Sequence, residues 1–361
     1  MFSGNKGEWS EVYALLKLLS EKKLIPGDDN LNELTGIIYP IIKILRDEAG
    51  ENIEYIPHDT YVEVIKGANT YNIGSKLFLE NADLLLKEIK NTHNKGAFKI
   101  PCIEAFLNSI QCTKLKAKSS DKTDIRIVIH DIKQNFQKEL GFSIKSQLGN
   151  PSTLFNAGAN TNFIYRIEQS YLTEEQIHSI NNISSSTAKI KKRLDTIKHH
   201  SGVLNFAGIT GKNLSRNLIL IDSKLDYLLA EMLLLYYTTT KTKIKDLTEE
   251  LESKNPLNFP PDSNHKFYEY KTKKFLTEIA LGMMPSKVWN GIYDATGGYL
   301  VVRKDGKIVS YHIYDRNQFE NYLFNYTKLE TPSSSRHKFG TIYKENGELF
   351  INLNLQIRFL V

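Results

Sequence analysis

The chain has 361 residues, of which 41% are hydrophobic and 24% charged. That balance belongs to a folded globular protein of one large domain or two ordinary ones, and it excludes a largely disordered chain. The net charge of +6 permits a nucleic-acid partner without requiring one.

Periodicity predicts a first helix over about Gly7 to Leu19, with Trp9, Val12, Tyr13, Leu15, Leu16, Leu18 and Leu19 as its apolar residues. Pro26-Gly27-Asp28-Asp29-Asn30 is a turn, and a second helix is expected over Leu31 to Ala49. Glu54 to Val64 and Thr70 to Ile73 read as short mixed segments, followed by helices over Asn81 to Ile89 and around Cys102 to Ile110. Two strands come next. In Thr123 to His130, Ile125, Ile127 and Ile129 share one face, and Asp124, Arg126, Val128 and His130 the other. In Gly141 to Leu148, Phe142, Ile144 and Leu148 oppose Ser143, Lys145 and Gln147. The intervening Asp131 to Leu140 is too long for a tight hairpin.

From Leu172 to about Pro285 the pattern is mostly helical. Helices are expected near Glu174 to Ile183, Thr187 to His199, Leu214 to Tyr237, Ile244 to Ser253 and Tyr268 to Leu281. Tyr299 to Lys304 and Lys307 to Ile313 form a hairpin about Asp305-Gly306. Asn346-Gly347 marks another, between Gly340 to Tyr343 and Leu349 to Phe359.

The most apolar stretch, Leu218 to Tyr237, carries Asp222, Lys224, Asp226 and Glu231, too many charges for a membrane span. Met1 to Lys6 lacks a signal-peptide layout. Cys102 and Cys112 have no metal-binding spacing and suit a reducing compartment. A cytoplasmic protein without membrane association is the expectation.

Basic residues cluster at Lys114, Lys116, Lys118, Lys122 and Arg126; at Lys189, Lys191, Lys192, Arg193 and Lys198; at Lys241, Lys243 and Lys245; and at Lys271, Lys273 and Lys274. Each cluster alone is more often a solvated face than a binding site.

Asp124 on one strand and Ser143-Ile144-Lys145 on another form an acid followed by x-x-Lys, the arrangement with which nucleases hold Mg²⁺ against a phosphodiester. Mg²⁺ takes hard oxygen ligands: the Asp124 carboxylate and the Ile144 carbonyl can supply two. Lys145 can hold the attacking water and offset phosphate charge. On spacing alone, Asp124 as an ordinary strand residue and Lys145 as a surface lysine remain open. Glu8 and Glu11, three apart on the first helix, offer a further carboxylate for a site with serine at 143. In the first turn they also suit the helix dipole. Gln147 is a candidate for a water or phosphate contact.

Gly4-Asn5-Lys6-Gly7-Glu8-Trp9-Ser10-Glu11, Gly141 to Gly149, Asn156 to Phe163 and Arg336-His337-Lys338-Phe339-Gly340 together resemble the HpaII family of type II restriction endonucleases, along the whole chain. The resemblance implies an α+β PD-(D/E)xK nuclease fold, with a mixed sheet flanked by helices, a helical region and a β-rich C-terminal part. It also implies Mg²⁺ dependence and cleavage of unmethylated CCGG within a restriction-modification system. Such a system pairs the enzyme with a cytosine methyltransferase. The implied site is Asp124, Ser143 and Lys145 with Glu11 or Glu8. Residue 123 is threonine and residue 143 serine, where the broader nuclease pattern has proline and an acid; Glu168 is distant, so the first helix is favoured as the source of the second carboxylate.

Residues 1–170 are expected to carry the nuclease core, with 171–361 completing the fold and contacting DNA; a dimer is possible. Asn156, Asn160, Asn162, Arg166, Arg336, His337 and Lys338 are candidates for binding duplex DNA, Arg and Lys being suited to guanine or phosphate. Their segments also read as ordinary polar loops. No phosphate-binding glycine loop is present, which argues against ATP hydrolysis. A non-catalytic DNA-binding protein on a nuclease scaffold, and a repair nuclease of the same fold, are the alternatives.

Overall fold

The computed structural model describes residues 2–48, 50–94, 96–116, 122–131, 136–184, 188–261 and 264–360. Lys118, in the first basic cluster, and Thr187, the expected start of a helix, lie outside them.

The chain opens with α1 (Lys6–Glu21), then β1 (Lys23–Leu24), β2 (Tyr39–Glu48), β3 (Glu51–Pro57), β4 (Tyr61–Lys66) and β5 (Asn69–Gly74). The helix expected over Leu31 to Ala49 is therefore a loop and a strand. Gly36 and Pro40 interrupt any helix there, while the β-branched Ile41, Ile42 and Ile44 suit a pleated surface. Pro40 sits at the start of β2, opposite Lys23, where its missing N–H is tolerated.

Next come α2 (Ser75–Asn91), α3 (Pro101–Ser109), β6 (Ile125–Asp131) and β7 (Phe136–Ser146). β7 is longer than the sequence suggests. It pairs antiparallel with β6 from Ile125↔Phe142 to Asp131↔Phe136, so the connection is shorter than expected. Then follow β8 (Thr153–Phe155), β9 (Asn162–Glu168), α4 (Glu174–Asn181), α5 (Lys189–His199), β10 (Val203–Ile209), α6 (Lys212–Ile221), α7 (Leu225–Thr238), α8 (Ile244–Lys254) and α9 (Phe267–Leu281). β10 escapes a reading by helical periodicity because it is a short, half-exposed strand lying between helices. The helix expected over Leu214 to Tyr237 is two. Asp222 is extended and accepts the Lys224 N–H at 3.0 Å, a side-chain turn that competes with the helix.

The last part contains β11 (Gly298–Val302), β12 (Ile308–His312), α10 (Arg316–Asn325), β13 (Thr327–Leu329), α11 (Ser334–His337), β14 (Ile342–Glu345), β15 (Glu348–Asn354) and β16 (Ile357–Phe359). Both expected hairpins form. In the second, Asn346 and Gly347 have φ of 48° and 83°, the left-handed pair that a two-residue turn demands.

Among the described residues, nine strands form one mixed sheet in the order β12-β11-β7-β6-β2-β3-β4-β5, with β1 beside β2. Only β11 and β7 run parallel within it. Smaller sheets are β10-β9-β15-β14 and β13-β16-β8. The whole is α+β, with a large mixed sheet flanked by helices. β11 separates two hydrophobic cores. Leu300 and Val302 face the core built by α1, α2 and α3, while Tyr299 and Val301 face the core of the helical region. The large sheet is thus completed by residues 298–312, far along the chain from β7. No helix among the described residues is long and apolar enough to cross a membrane.

Candidate active site

Strand pairing brings Asp124 to Ser143-Ile144-Lys145. Asp124 immediately precedes β6, and its N–H donates to the Phe142 carbonyl at 2.9 Å. Its Oδ2 accepts from the Ser143 hydroxyl at 3.0 Å and from the Ile144 N–H at 2.8 Å. Lys145 Nζ in turn donates to Ser143 Oγ at 2.9 Å. Ser143 therefore bridges the acid and the lysine. Gly141 permits this close approach: a Cβ there would lie 2.6 Å from Thr123 Oγ1 and 3.2 Å from the Asp294 carbonyl. Thr123, where proline is common in such sites, uses its hydroxyl to bond that carbonyl at 2.8 Å.

Helix α1 supplies the two glutamates in different roles. Asn5 caps the helix, and Glu8 returns to the Asn5 N–H at 2.8 Å, completing a capping box. Glu8 is thereby committed to the helix end. Glu11, one turn on, is half-buried and makes no hydrogen bond or ion pair with the described residues. Burial, and then the negative charge of Asp124, push its carboxyl up to about 8. Lys116 and Arg46 pull the other way. The helix is held against β7 by Ser10 and Ser146, whose hydroxyls lie 2.8 Å apart, and against the segment between α2 and α3 by Trp9 Nε1 donating to the Phe98 carbonyl at 3.1 Å.

Lys145 is enclosed on its other side by Tyr299, the parallel neighbour of Ser143 on β11, with Nζ 4.9 Å from the ring centroid. Burial lowers the lysine pKa, while Asp124 and Glu11 raise it again. Sequence reasoning missed Tyr299, because nothing local links residue 299 to residue 145. It also missed the buried Arg46–Glu48 pair. Arg46 holds the Leu115 carbonyl at 3.0 Å, and Glu48 accepts the Thr113 N–H at 3.1 Å. Together they tie down the segment leading to Lys116.

The donor set fits a hard divalent cation. Two carboxylates repel one another at Glu11 and Asp124. Ile144 could supply a third oxygen: within a strand the N–H and C=O of one residue point to the same side, here the side where β6 gives way to Asp124. Among the described residues no cluster of three or more His, Cys, Asp or Glu side chains suits a metal, so a cation here would have two carboxylates and a carbonyl.

Gln147 falls just beyond β7, half-buried, with its N–H on the Val302 carbonyl at 2.9 Å. Asn156 and Asn160 are exposed on the connection from β8 to β9. Asn162 is buried. Its Nδ2 donates to the His337 carbonyl at 2.9 Å, and its Oδ1 accepts from Asn354 Nδ2 at 2.7 Å. Asn354, which sequence reasoning missed, also donates to the Gly158 carbonyl at 2.8 Å. This clasp joins the Asn-rich connection to α11. On α11 and its end, Arg336 and Lys338 are exposed and make no ion pair with the described residues, and His337 is half-buried. Arg166 lies elsewhere, on β9, paired with Glu168 and with Glu348 at 3.2 Å.

The model of the HpaII restriction endonuclease family matches residues 5–359. The chain is 50% identical over 361 residues to the type II restriction enzyme HpaII of Haemophilus parainfluenzae, covering 99% of each chain. No solved structure matches. With the match running from the N-terminal cap through the last strand, the chain belongs to the HpaII family of type II restriction endonucleases.

Proposed function

We propose that this chain cleaves duplex DNA at CCGG in a Mg²⁺-dependent reaction, as the nuclease of a restriction-modification system whose cytosine methyltransferase protects the host sites. The observation that carries the reading is the Asp124–Ser143–Lys145 chain of hydrogen bonds beside Glu11, which has no hydrogen-bond or ion-pair partner among the described residues. Asp124, Glu11 and the Ile144 carbonyl would hold the ion, which would supply charge neutralisation at the phosphate and Lewis acidity toward the attacking water.

The chain's own groups do the rest. Lys145 Nζ, steadied by Ser143 Oγ, orients the attacking water and offsets the charge building on the phosphate oxygens. Its pKa, lowered by burial, brings the amine closer to accepting a proton near neutral pH. Asp124 fixes the Ser143 hydroxyl and the Ile144 peptide, so the lysine and the carbonyl keep one geometry. Arg336 and Lys338 reach the DNA from α11, while Asn162 holds that turn in place. A second reading, a DNA-binding protein without catalysis, is disfavoured by the retention of both carboxylates and the lysine.

Digestion of a mapped plasmid, followed by sequencing of the ends, tests the proposal. Cuts at every unmethylated CCGG with Mg²⁺, and none in excess EDTA, are expected. With Ca²⁺, whose looser geometry makes a poorer Lewis acid, the protein binds the site without cutting. Full activity in EDTA overturns the metal assignment, and cuts at another sequence overturn the specificity.

A further inference from the structure

A groove of about 740 Å³ opens in the helical half of the molecule, between the start of α5, the end of α7 and the approach to α11. Lys189, Lys191 and Lys241 line it, together with a run of hydroxyls that includes Thr239, Thr240 and Ser333, and among the described residues no carboxylate lines it. Two other hollows are of mixed charge: the one between α1 and α2 sets Glu21, Glu33, Asp83 and Asp305 against Lys17, Lys23 and Lys307, and the one beside β9 sets Glu168, Glu174 and Glu348 against Arg166 and Lys344. The hollow beyond the end of β7 shares the basic sign, with Lys6 and Arg358, but has two such cations where this groove has three.

The groove is also organised. Lys189 Nζ donates to Ser334 Oγ at 2.6 Å. Lys241 is held by Glu250 at 2.6 Å. Lys191 is half-buried and has no partner among the described residues. Ser333 and Ser334 belong to the groove and also begin α11, so the lysines continue directly into Arg336 and Lys338. Asn162 fixes the far end of α11 to the chain that leaves the catalytic strand.

We propose that this groove seats the phosphodiester backbone of the bound duplex outside the cleaved sequence. The inference rests on the nuclease reading above and adds a backbone-binding site to it. Cations and hydroxyl donors on a described lining without a carboxylate, with Glu250 reaching only Lys241, match phosphate oxygens and carry no base information. Lys191 is the charge without a partner among the described residues, and Lys189 and Lys241 are pre-positioned by theirs.

Binding is measured in Ca²⁺ across a KCl series, on a CCGG duplex and on a duplex of the same length lacking CCGG. Lys191→Ala, which breaks no hydrogen bond or ion pair among the described residues, should make the slope of log K against log salt shallower by about 0.9, the release expected for one phosphate. The change should be equal on both duplexes, with kcat at saturating DNA unchanged and KM raised. Lys191→Arg should restore the parent slope. The Lys189→Ala, Lys191→Ala, Lys241→Ala triple variant should lose about 3 slope units. If the parent protein binds and Lys191→Ala leaves the slope unchanged, the groove is not on the DNA path. A loss confined to the CCGG duplex overturns the backbone assignment in favour of base reading. A parent that binds neither duplex removes the nuclease reading itself.

Discussion

Lys145 Nζ rests 4.9 Å from the centre of the Tyr299 ring, on the strand that runs parallel to its own. Tyr299 is almost wholly enclosed, with Phe319 edge-on at 5.3 Å and Phe359 at 6.0 Å. The ring is therefore a fixed platform, and the ammonium is held between it and the Ser143 hydroxyl.

Tyr299→Phe keeps the ring and should cleave close to the parent rate, since the lost hydroxyl bonds the Ala280 carbonyl only at 3.4 Å. Tyr299→Leu removes the platform. A desolvated cation–π contact is worth about 2 kcal/mol, or about thirtyfold in rate if felt wholly at Nζ. Single-turnover cleavage at saturating DNA, with melting curves to confirm folding, separates the two. Equal rates for the Phe and Leu variants would show the ring to be packing alone.

Asp124→Ala and Lys145→Ala should each abolish cleavage while the CCGG duplex still binds. The first loses a metal ligand and the second loses the group that orients water. Ser143→Ala should be milder, a fall of about tenfold to a hundredfold, because the hydroxyl only bridges the other two and a lost hydrogen bond to a charged group costs about 1.5–3 kcal/mol. An Asp124→Ala variant that folds and cuts normally places the chemistry elsewhere.

Glu11 titrates at about 8 in the folded chain against an ordinary value of 4.5. Between those values the folded chain holds a proton that the unfolded chain has released, so stability falls as pH rises and the penalty is complete above the folded pKa. In metal-free buffer Glu11→Gln should melt above the parent at about pH 9 and close to it at about pH 4, and it should lose cleavage. Glu8→Ala should retain cleavage and lose about 1 kcal/mol of stability with its capping box. A Glu11→Gln melting advantage that is the same at both pH values would contradict the raised carboxyl.

The Asn354–Asn162 clasp should govern discrimination. Asn354→Ala strips a donor from the Gly158 carbonyl and from Asn162, and so loosens α11. Cleavage of CCGG relative to a one-base variant should fall. Arg336→Ala alone should lower the same ratio, yet add little in the Asn354→Ala background, since the clasp acts through that arginine's position. Additive losses would separate the two.

Much of the catalytic strand pair was legible in the sequence because β6 and β7 alternate cleanly and lie close in the chain. The same periodicity separated Glu8 from Glu11 only as neighbours on one face; the capping box that distinguishes them needed the Asn5 backbone geometry. Residues 31–49 misled because their isoleucine-rich run satisfies helical and strand spacing alike, and the deciding features are Gly36 and Pro40. Asn162 reads as a surface amide until Asn354, 192 residues away, is seen to hold it. Tyr299 was invisible for the same reason: parallel pairing leaves no local signature.

That parallel strand has a consequence during synthesis. The acid, serine and lysine are all translated by residue 145, but the strand that flanks them and carries the Tyr299 ring is translated only after residue 297. A nascent chain halted between those points presents the bare edge of β7 and lacks the ring beside its lysine. Contacts of such long sequence separation form late in folding. The order of translation thus leaves the growing polypeptide without this strand until residues 298–302 have left the ribosome.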